Sequence, residues 1–436
     1  MEFNFPKDFL WGASTSAHQV EGNNTNNDWW EWEQNGKTKE RSGRACDHWN
    51  RFHEDFGLAK SLHHNAHRFS LEWSRIEPEE GQFSEEALKH YQEVIQSLKS
   101  NGIEPVITLH HFTLPIWLAK KGGWLSDEAP EFSARYVKKV VERIGDGVRY
   151  WITLNEPVAY VFKGYFMGRW PPGERSYKKA LKALAHLLKG HVLAYNVIHE
   201  TNREACRPPA QVGIAKHVLI FSPCSKGCWR DKISVWFRNL MFNHLFVNAL
   251  IRGWIFYPGL FQIWLARART LDFIGLNYYT RDFVHNEGLF LPAITGDVCM
   301  LKHPREKVKR NSLFWEIYPH GIYRLVKEFS HYGLPLLLTE NGICTAHDEE
   351  RSQFILDHLS ELAAAMKKGA KVIGYLYWSL LDNYEWTEGF APRFGLIEVD
   401  YTTQARRIRD SAKRFSEICK TGNILIDASG KIQSVF

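Results

Sequence analysis

The strongest constraint in this chain is a rhythm. Short apolar runs, many with β-branched residues, recur at 10–14, 66–72, 104–111, 149–155, 212–217, 273–279, 335–340 and 372–378. Longer stretches with helical spacing of apolar residues lie between most of them, at 84–100, 131–144, 178–200 and 351–368. Near-continuous apolar strands are buried on both faces, and helices between them cover a parallel sheet from outside. Eight such units predict an α/β fold of one kind, a (β/α)8 barrel with its chemistry at the C-terminal strand ends. A doubly wound open sheet is the competitor, but no Gly-x-Gly-x-x-Gly turn follows the first run. No linker, charge block or Pro/Gly-rich hinge divides the chain, so 1–436 reads as a single domain.

Composition narrows the chemistry. A net charge of +6 on 436 residues predicts no nucleic-acid partner in the absence of a patch or motif. No apolar run reaches the roughly 18 residues that suggest a membrane span. The segment Met1-Glu2-Phe3-Asn4-Phe5-Pro6 lacks the basic-then-apolar order of a signal peptide. Seven cysteines, odd in number and sparse, suit a reducing compartment, so a cytoplasmic location is expected. Seventeen tryptophans exceed what a core needs, and indole faces stack well on sugar rings.

The predicted strands run into unusual polar chemistry. His18-Gln19-Val20-Glu21-Gly22 follows the first, and Arg68 and Glu72 lie on the second. The third ends in His110-His111-Phe112 and the fourth in Thr153-Leu154-Asn155-Glu156-Pro157. Asn277-Tyr278-Tyr279 ends the sixth and Thr339-Glu340-Asn341-Gly342 the seventh, while the eighth enters Trp378-Ser379-Leu380-Leu381-Asp382-Asn383-Tyr384-Glu385-Trp386. In a barrel these ends converge on one mouth. Two carboxylates there, Glu156 and Glu340, suit glycoside hydrolysis: one protonates the leaving oxygen while the other attacks the anomeric carbon or activates water. For either glutamate alone a structural ion pair is the simpler account. Their parallel contexts, each beside an Asn and a turn-forming Pro or Gly, shift the balance.

Thr-Leu-Asn-Glu-Pro, Leu-Thr-Glu-Asn-Gly and Trp-Ser-Leu-Leu-Asp-Asn-Tyr-Glu-Trp, in this order, resemble family 1 of the glycoside hydrolases, the β-glucosidase and β-galactosidase family. The match runs from Phe9-Leu10-Trp11-Gly12 to Arg393-Phe394-Gly395-Leu396. Chain length and Glu72-Trp73-Ser74-Arg75 resemble the shorter archaeal-type members. The resemblance implies a barrel-shaped retaining β-glycosidase without metal or organic cofactor, acting on a small β-glycoside or oligosaccharide. By position it makes Glu156 the acid and then the base, and Glu340 the nucleophile, with the carboxylates about 5–5.5 Å apart. Arg68 would keep Glu340 ionised, Tyr279 would donate to it, and anionic Glu340 would keep Glu156 protonated.

Gln19, His111, Asn155, Asn277, Glu385 and Trp386 would then bind the glycone, Trp378 would form its stacking floor, and Trp315 would face the aglycone. Glu156 stands where plant thioglucosidases carry Gln, and Glu385-Trp386 would repel a 6-phosphate, so a non-phosphorylated O-glycoside is expected. Three departures stand out: His111-Phe112 replaces the usual His-Trp, His217 stands where many members have Asn, and Asp28-Trp29-Trp30 is an atypical loop that would line an apolar entrance.

Rival readings remain open at this level. The same covalent intermediate would serve a transglycosylase, and a non-catalytic sugar-binding relative is a further class. His63, His64, His67, His110 and His111 could suggest a metal, but adjacent strand residues point to opposite faces, and Cys224 and Cys228 lack a second pair. The aromatic, basic stretch 229–264 fits an outer barrel helix or a weak membrane-surface contact. Lys302, Arg305, Lys307, Lys309 and Arg310 read as a solvated loop.

Overall fold

A computed structural model describes residues 2–257, 261–290, 293–299, 308–426 and 432–434. The part of the basic run at 302–307 lies outside them. Eight strands form the frame: β1 Leu10–Ser14, β2 Ala66–Ser70, β3 Glu104–His110, β4 Tyr150–Asn155, β5 Gln211–Pro223, β6 Ile274–His285, β7 Leu336–Asn341 and β8 Val372–Trp378. Each pairs parallel with the next, and β8 pairs with β1, so the sheet closes into the predicted barrel. β2 stops short of its predicted end because Glu72 leaves the strand to cap the turn Trp73–Ile76, its side chain accepting from the Ser74 amide. β5 and β6 run well past theirs, paired as far as Pro223 and Val284, and project from the mouth as a ribbon.

The longer described helices are α1 His48–Ser61, α2 Glu85–Ser100, α3 Ala129–Ile144, α4 Tyr177–Glu204, α5 Trp229–Arg238, α6 Leu245–Arg252, α7 His320–Phe329, α8 Asp348–Lys367 and α9 Asp410–Thr421. Their starts are written locally. Ser84 and Ser176 accept from the amides of Ala87 and Lys179, and Pro130 sits in the first turn of α3, where its missing N–H costs nothing. On α6, Leu245, Phe246, Val247, Ala249 and Leu250 are buried, as an outer barrel helix requires. Trp229, Trp236 and Trp264 stay 57%, 63% and 66% exposed. No described helix is long and apolar enough to cross a membrane.

Two apolar regions result. Leu10, Ala66, Val106, Tyr150, Ile152, Ala215, Phe273, Leu337 and Leu376 fill the barrel lumen, and a much larger cluster lies between strands and helices. The pairing slips between Ile152 and Asn155 of β4 and between Leu338 and Glu340 of β7. Strict alternation from Ile152 would point Leu154 inward and Asn155 outward. The slip reverses this, leaving Leu154 in the outer core and turning Asn155 onto Arg68 in the mouth. The β7 slip acts likewise: Leu338 faces the outer core and Glu340 meets Arg68. Such irregularities re-aim side chains, and here they sit beside both glutamates.

Beyond β8, Asp382 is fully buried. It accepts from Arg409 through both oxygens (3.0 and 2.7 Å) and from the Gly395 amide (2.9 Å), with Arg393 at 3.3 Å. This ties the loop after β8 to the segment leading into α9. Asp382→Ala would strand the Arg409 guanidinium, and removing one partner of a buried pair costs about 3–5 kcal/mol. Its thermal denaturation midpoint should fall well below that of the wild type.

Candidate active site

Glu156 ends β4 in an unusual backbone state. Its φ of 45° and ψ of 50° are left-handed, a region costly for a side chain with a Cβ. Pro157 at the first helical position disfavours the right-handed alternative for the residue before it. The Glu156 amide donates to Ala215 O across to β5 (2.7 Å), and its carbonyl accepts from Tyr160 N (2.9 Å). The side chain is thereby aimed into the mouth, where Asn277 Nδ2 donates to Oε1 (3.0 Å) and His217 Nδ1 lies 3.4 Å from Oε2.

Glu340 enters from β7. Arg68 Nη1 pairs with its Oε1, and Tyr279 OH donates to its Oε2 (2.6 Å). Arg68, fully buried, also donates through Nε to Thr108 Oγ1 (3.0 Å) and through Nη2 to Asn155 Oδ1 (2.7 Å). Asn277 Nδ2 is shared between Asn155 Oδ1 (3.1 Å) and Glu156. One hydrogen-bonded path, Glu340–Arg68–Asn155–Asn277–Glu156, thus joins the two carboxyls. The flanking motif residues build this path: Thr339 Oγ1 donates to Asn277 Oδ1 (2.6 Å), and Asn341 bridges Tyr278 O (2.7 Å) and Tyr375 OH (2.8 Å). Gly342 must be glycine, because a Cβ there would stand 1.9 Å from the Trp378 carbonyl oxygen.

The remaining predicted residues line the same cavity mouth. Asn155 Nδ2 is 3.0 Å from His111 Nε2. The His111 ring lies nearly parallel to Trp378 and Trp386, with centroids 6.2 and 6.0 Å away. Gln19 Nε2 approaches Asn383 Oδ1 (2.9 Å), Tyr384 O (2.8 Å) and Glu385 Oε2 (3.3 Å). Trp315 packs on Tyr279 (5.5 Å) and Phe394 (6.1 Å), in a small apolar cluster with Trp378. His110 faces away from the mouth, accepting from Trp124 Nε1 at 3.3 Å, so it shares no site with His111. The loop reading of 28–30 is corrected: Asp28–Gln34 is a helix, and Trp29 is buried beneath Trp386 (4.5 Å), away from the entrance.

Comparison with known proteins agrees with this geometry. Residues 1–424 match the profile of glycosyl hydrolase family 1. The chain belongs to that family. It is 33% identical to β-glucosidase A of Thermotoga maritima, over 96% of this chain and 98% of the relative. It is 30% identical to a β-galactosidase of Pyrococcus woesei over 96% and 98%. Among solved structures, the β-glycosidase from Pyrococcus horikoshii superposes with a TM-score of 0.89 at 42% identity, covering 100% of this chain and 97% of that one. The Thermotoga maritima β-glucosidase in complex with deoxynojirimycin gives a TM-score of 0.87 at 32% identity over 96% and 99%. Membership in glycosyl hydrolase family 1 makes this chain a β-glycosidase.

The family motifs do not disclose the field in the mouth. At Glu156 burial alone would raise the carboxyl, but His217, the Asn277 hydrogen bond and Lys163 outweigh it and hold it down to about 2. At Glu340 burial pushes the carboxyl up against the pull of Arg68, and the Glu156 charge adds to the rise. These directions run opposite to the expected ones, because His217 and Lys163 stand close to Glu156. Lys163, in the turn Phe162–Phe166, lies over the Trp170 ring at 4.1 Å. Its one sequence signal is helical spacing, two turns beyond Glu156. Glu385 is pushed up to about 8 by burial, against Lys163.

Two outcomes follow from these fields. His217→Asn removes the imidazole that helps hold Glu156 down, so the Glu156 carboxyl should titrate at higher pH, seen as a carboxylate infrared band identified against Glu156→Gln. Glu385, at about 8 when folded against 4.5 otherwise, keeps a proton that the unfolded chain loses. Its contribution to stability is full below pH 4.5 and disappears as pH rises through about 8. Glu385→Gln cannot ionise, so its melting temperature should exceed the wild type's above that pH, by an amount equivalent to at most roughly 5 kcal/mol.

Proposed function

We propose that this β-glycosidase is a retaining β-glucosidase of relaxed glycone specificity that also takes β-galactosides and β-fucosides, and that Glu340 is its nucleophile and Glu156 its acid and base. The observation that carries the reading is the bonded path from Glu340 through Arg68, Asn155 and Asn277 to Glu156. It ties the carboxyls carried by β4 and β7 into one network at the mouth. Glu340 attacks the anomeric carbon as Glu156 gives its proton to the departing oxygen, leaving a glycosyl ester. Glu156 then takes a proton from water, which cleaves the ester and restores both groups. The surroundings of Glu156 favour its ionised form, and a departing glycosidic oxygen beside it is the base that draws its proton in the first step. Arg68 and Tyr279 stabilise the carboxylate released in the second step.

Asn155, His111, Gln19 and Glu385 supply donors and acceptors for several ring hydroxyls. Trp378 and Trp386 supply flat faces for the ring. Glu385, kept protonated by burial, can donate to and accept from a free 6-hydroxyl. Relatives named as β-glucosidase and β-galactosidase support a glycone of that class. On the aglycone side, the apolar Trp315, Phe394 and Leu313 cluster favours apolar leaving groups, and it also gives an alcohol acceptor a place to compete with water.

The test follows an aryl β-D-glucoside by proton NMR. Wild type should release β-glucose first, and Glu340→Gly should lose about four orders of magnitude or more in kcat. Azide should rescue that variant and yield α-glucosyl azide. Initial α-glucose, or an active Glu340→Gly, would sink the assignment. A glucose yield below that of the aryl alcohol in the presence of added alcohol would reveal transfer.

A further inference from the structure

The tip of the projecting β5–β6 ribbon gathers thiols and an imidazole away from the mouth. Cys224 follows β5, His285 ends β6, and Cys299 follows the short strand Asp297–Val298, which pairs antiparallel with β6. One ligand atom each from Cys224, His285 and Cys299 lies within 4.8 Å of the other two. Sheet hydrogen bonds hold this arrangement: Cys224 N donates to Val284 O (2.9 Å) and Cys299 N to Phe283 O (2.8 Å). Cys228 caps the start of α5, three residues before Asp231. Asp231 accepts from the amides of Ser225 (3.0 Å) and Asn286 (2.9 Å), and its Oδ1 lies 3.9 Å from His285 Nδ1.

Thiolate and imidazole together are the donor set of structural zinc, and the C-x3-C spacing of Cys224 and Cys228 falls within the usual range. What the sequence lacked was a second pair nearby; the ribbon supplies it from far along the chain. In a tetrahedral zinc site the ligand atoms stand about 3.5–3.8 Å apart, a contraction of about 1 Å from the outer limit seen here. We propose that Cys224, His285 and Cys299, with Cys228 as fourth ligand, form a structural zinc site.

Binding one Zn²⁺ releases the three thiol protons to solvent, while the neutral imidazole gives a lone pair and no redox change occurs. The resulting centre carries one negative charge, with Lys226 in the turn between Cys224 and Cys228 and Arg230 in the first turn of α5. Asp231 would orient the ligands from behind, as carboxylates beside metal-bound imidazoles do. Thiols bind zinc only after losing their protons, so metal and protons compete and occupancy falls in acid. Four protein ligands leave no open position, which makes the role structural. The ion would clamp the β5–α5 turn to the excursion after β6.

The full-length protein, reduced and desalted, is incubated with zinc and its bound metal counted. About one tightly held zinc per chain is expected, falling to background in Cys224→Ser, Cys299→Ser and His285→Ala. Because His285 is an exposed side chain, its variant tests ligation without threatening the core. Cobalt in place of zinc should show thiolate charge-transfer bands and intense visible absorption of a tetrahedral site. Turnover of aryl glucoside at moderate temperature should be unchanged in these variants, while the melting temperature falls on chelation. Reduced wild type that binds no stoichiometric zinc overturns the site. So does a Cys224–Cys299 disulfide, seen as the loss of two hydrogens in intact mass, in protein that still takes up no zinc after reduction. Octahedral, thiolate-free cobalt spectra would overturn the ligand set.

Discussion

A guanidinium that water cannot reach organises the mouth of this barrel. Arg68 points from β2 into the lumen just above the apolar layer of Leu10, Val106 and Leu376. An unpaired charge in that position would cost several kcal/mol, so neighbouring strands must bring acceptors to it. β3 supplies Thr108, β4 Asn155, and β7 both the Thr339 carbonyl and Glu340. Two of these strands reach it only by slipping register. The hydrogen bonds left over on Asn155 then recruit His111 and Asn277. The polar layer is in this sense a consequence of satisfying one cation.

Much of this was legible in the chain, for reasons that can be named. Strands buried on both faces announce themselves as apolar runs, and the ring of eight follows from their count. The residues at their ends could be assigned to one mouth because a barrel leaves them nowhere else to go. The register slips were not legible. A period of two places Asn155 and Leu154 on the wrong sides, and only pairing with the neighbouring strand shows the reversal. The extension of β5 and β6 was hidden because a ribbon beyond the barrel wall loses its all-apolar pattern. Trp29 was misplaced because a tryptophan buried beneath Trp386 and one at an entrance look alike in sequence. The order of acidities failed for a different reason: His217 and Lys163 act on Glu156 through space, from elements whose approach no motif encodes.

The mouth is also where the fold departs from its own preferences. Phe112, Glu156 and Trp386 all carry positive φ, at 74°, 45° and 51°, and such residues cost of order 1–3 kcal/mol each. Glu385 is buried against its tendency to ionise. These burdens sit on a rim whose foundations are two dry apolar regions, which makes them tolerable. Local strain and a rigid frame are complementary here, since a softer frame would let the backbone relax and swing the carboxyls out of line.

The left-handed backbone of Glu156 has a consequence for substitution at that position. Glycine or asparagine would occupy that conformation more comfortably, but either would give up the neighbours that hold the Glu156 carboxyl down. Backbone and side chain therefore pull in opposite directions at this one position. The charge is kept in place by its surroundings, and the strained backbone comes with it.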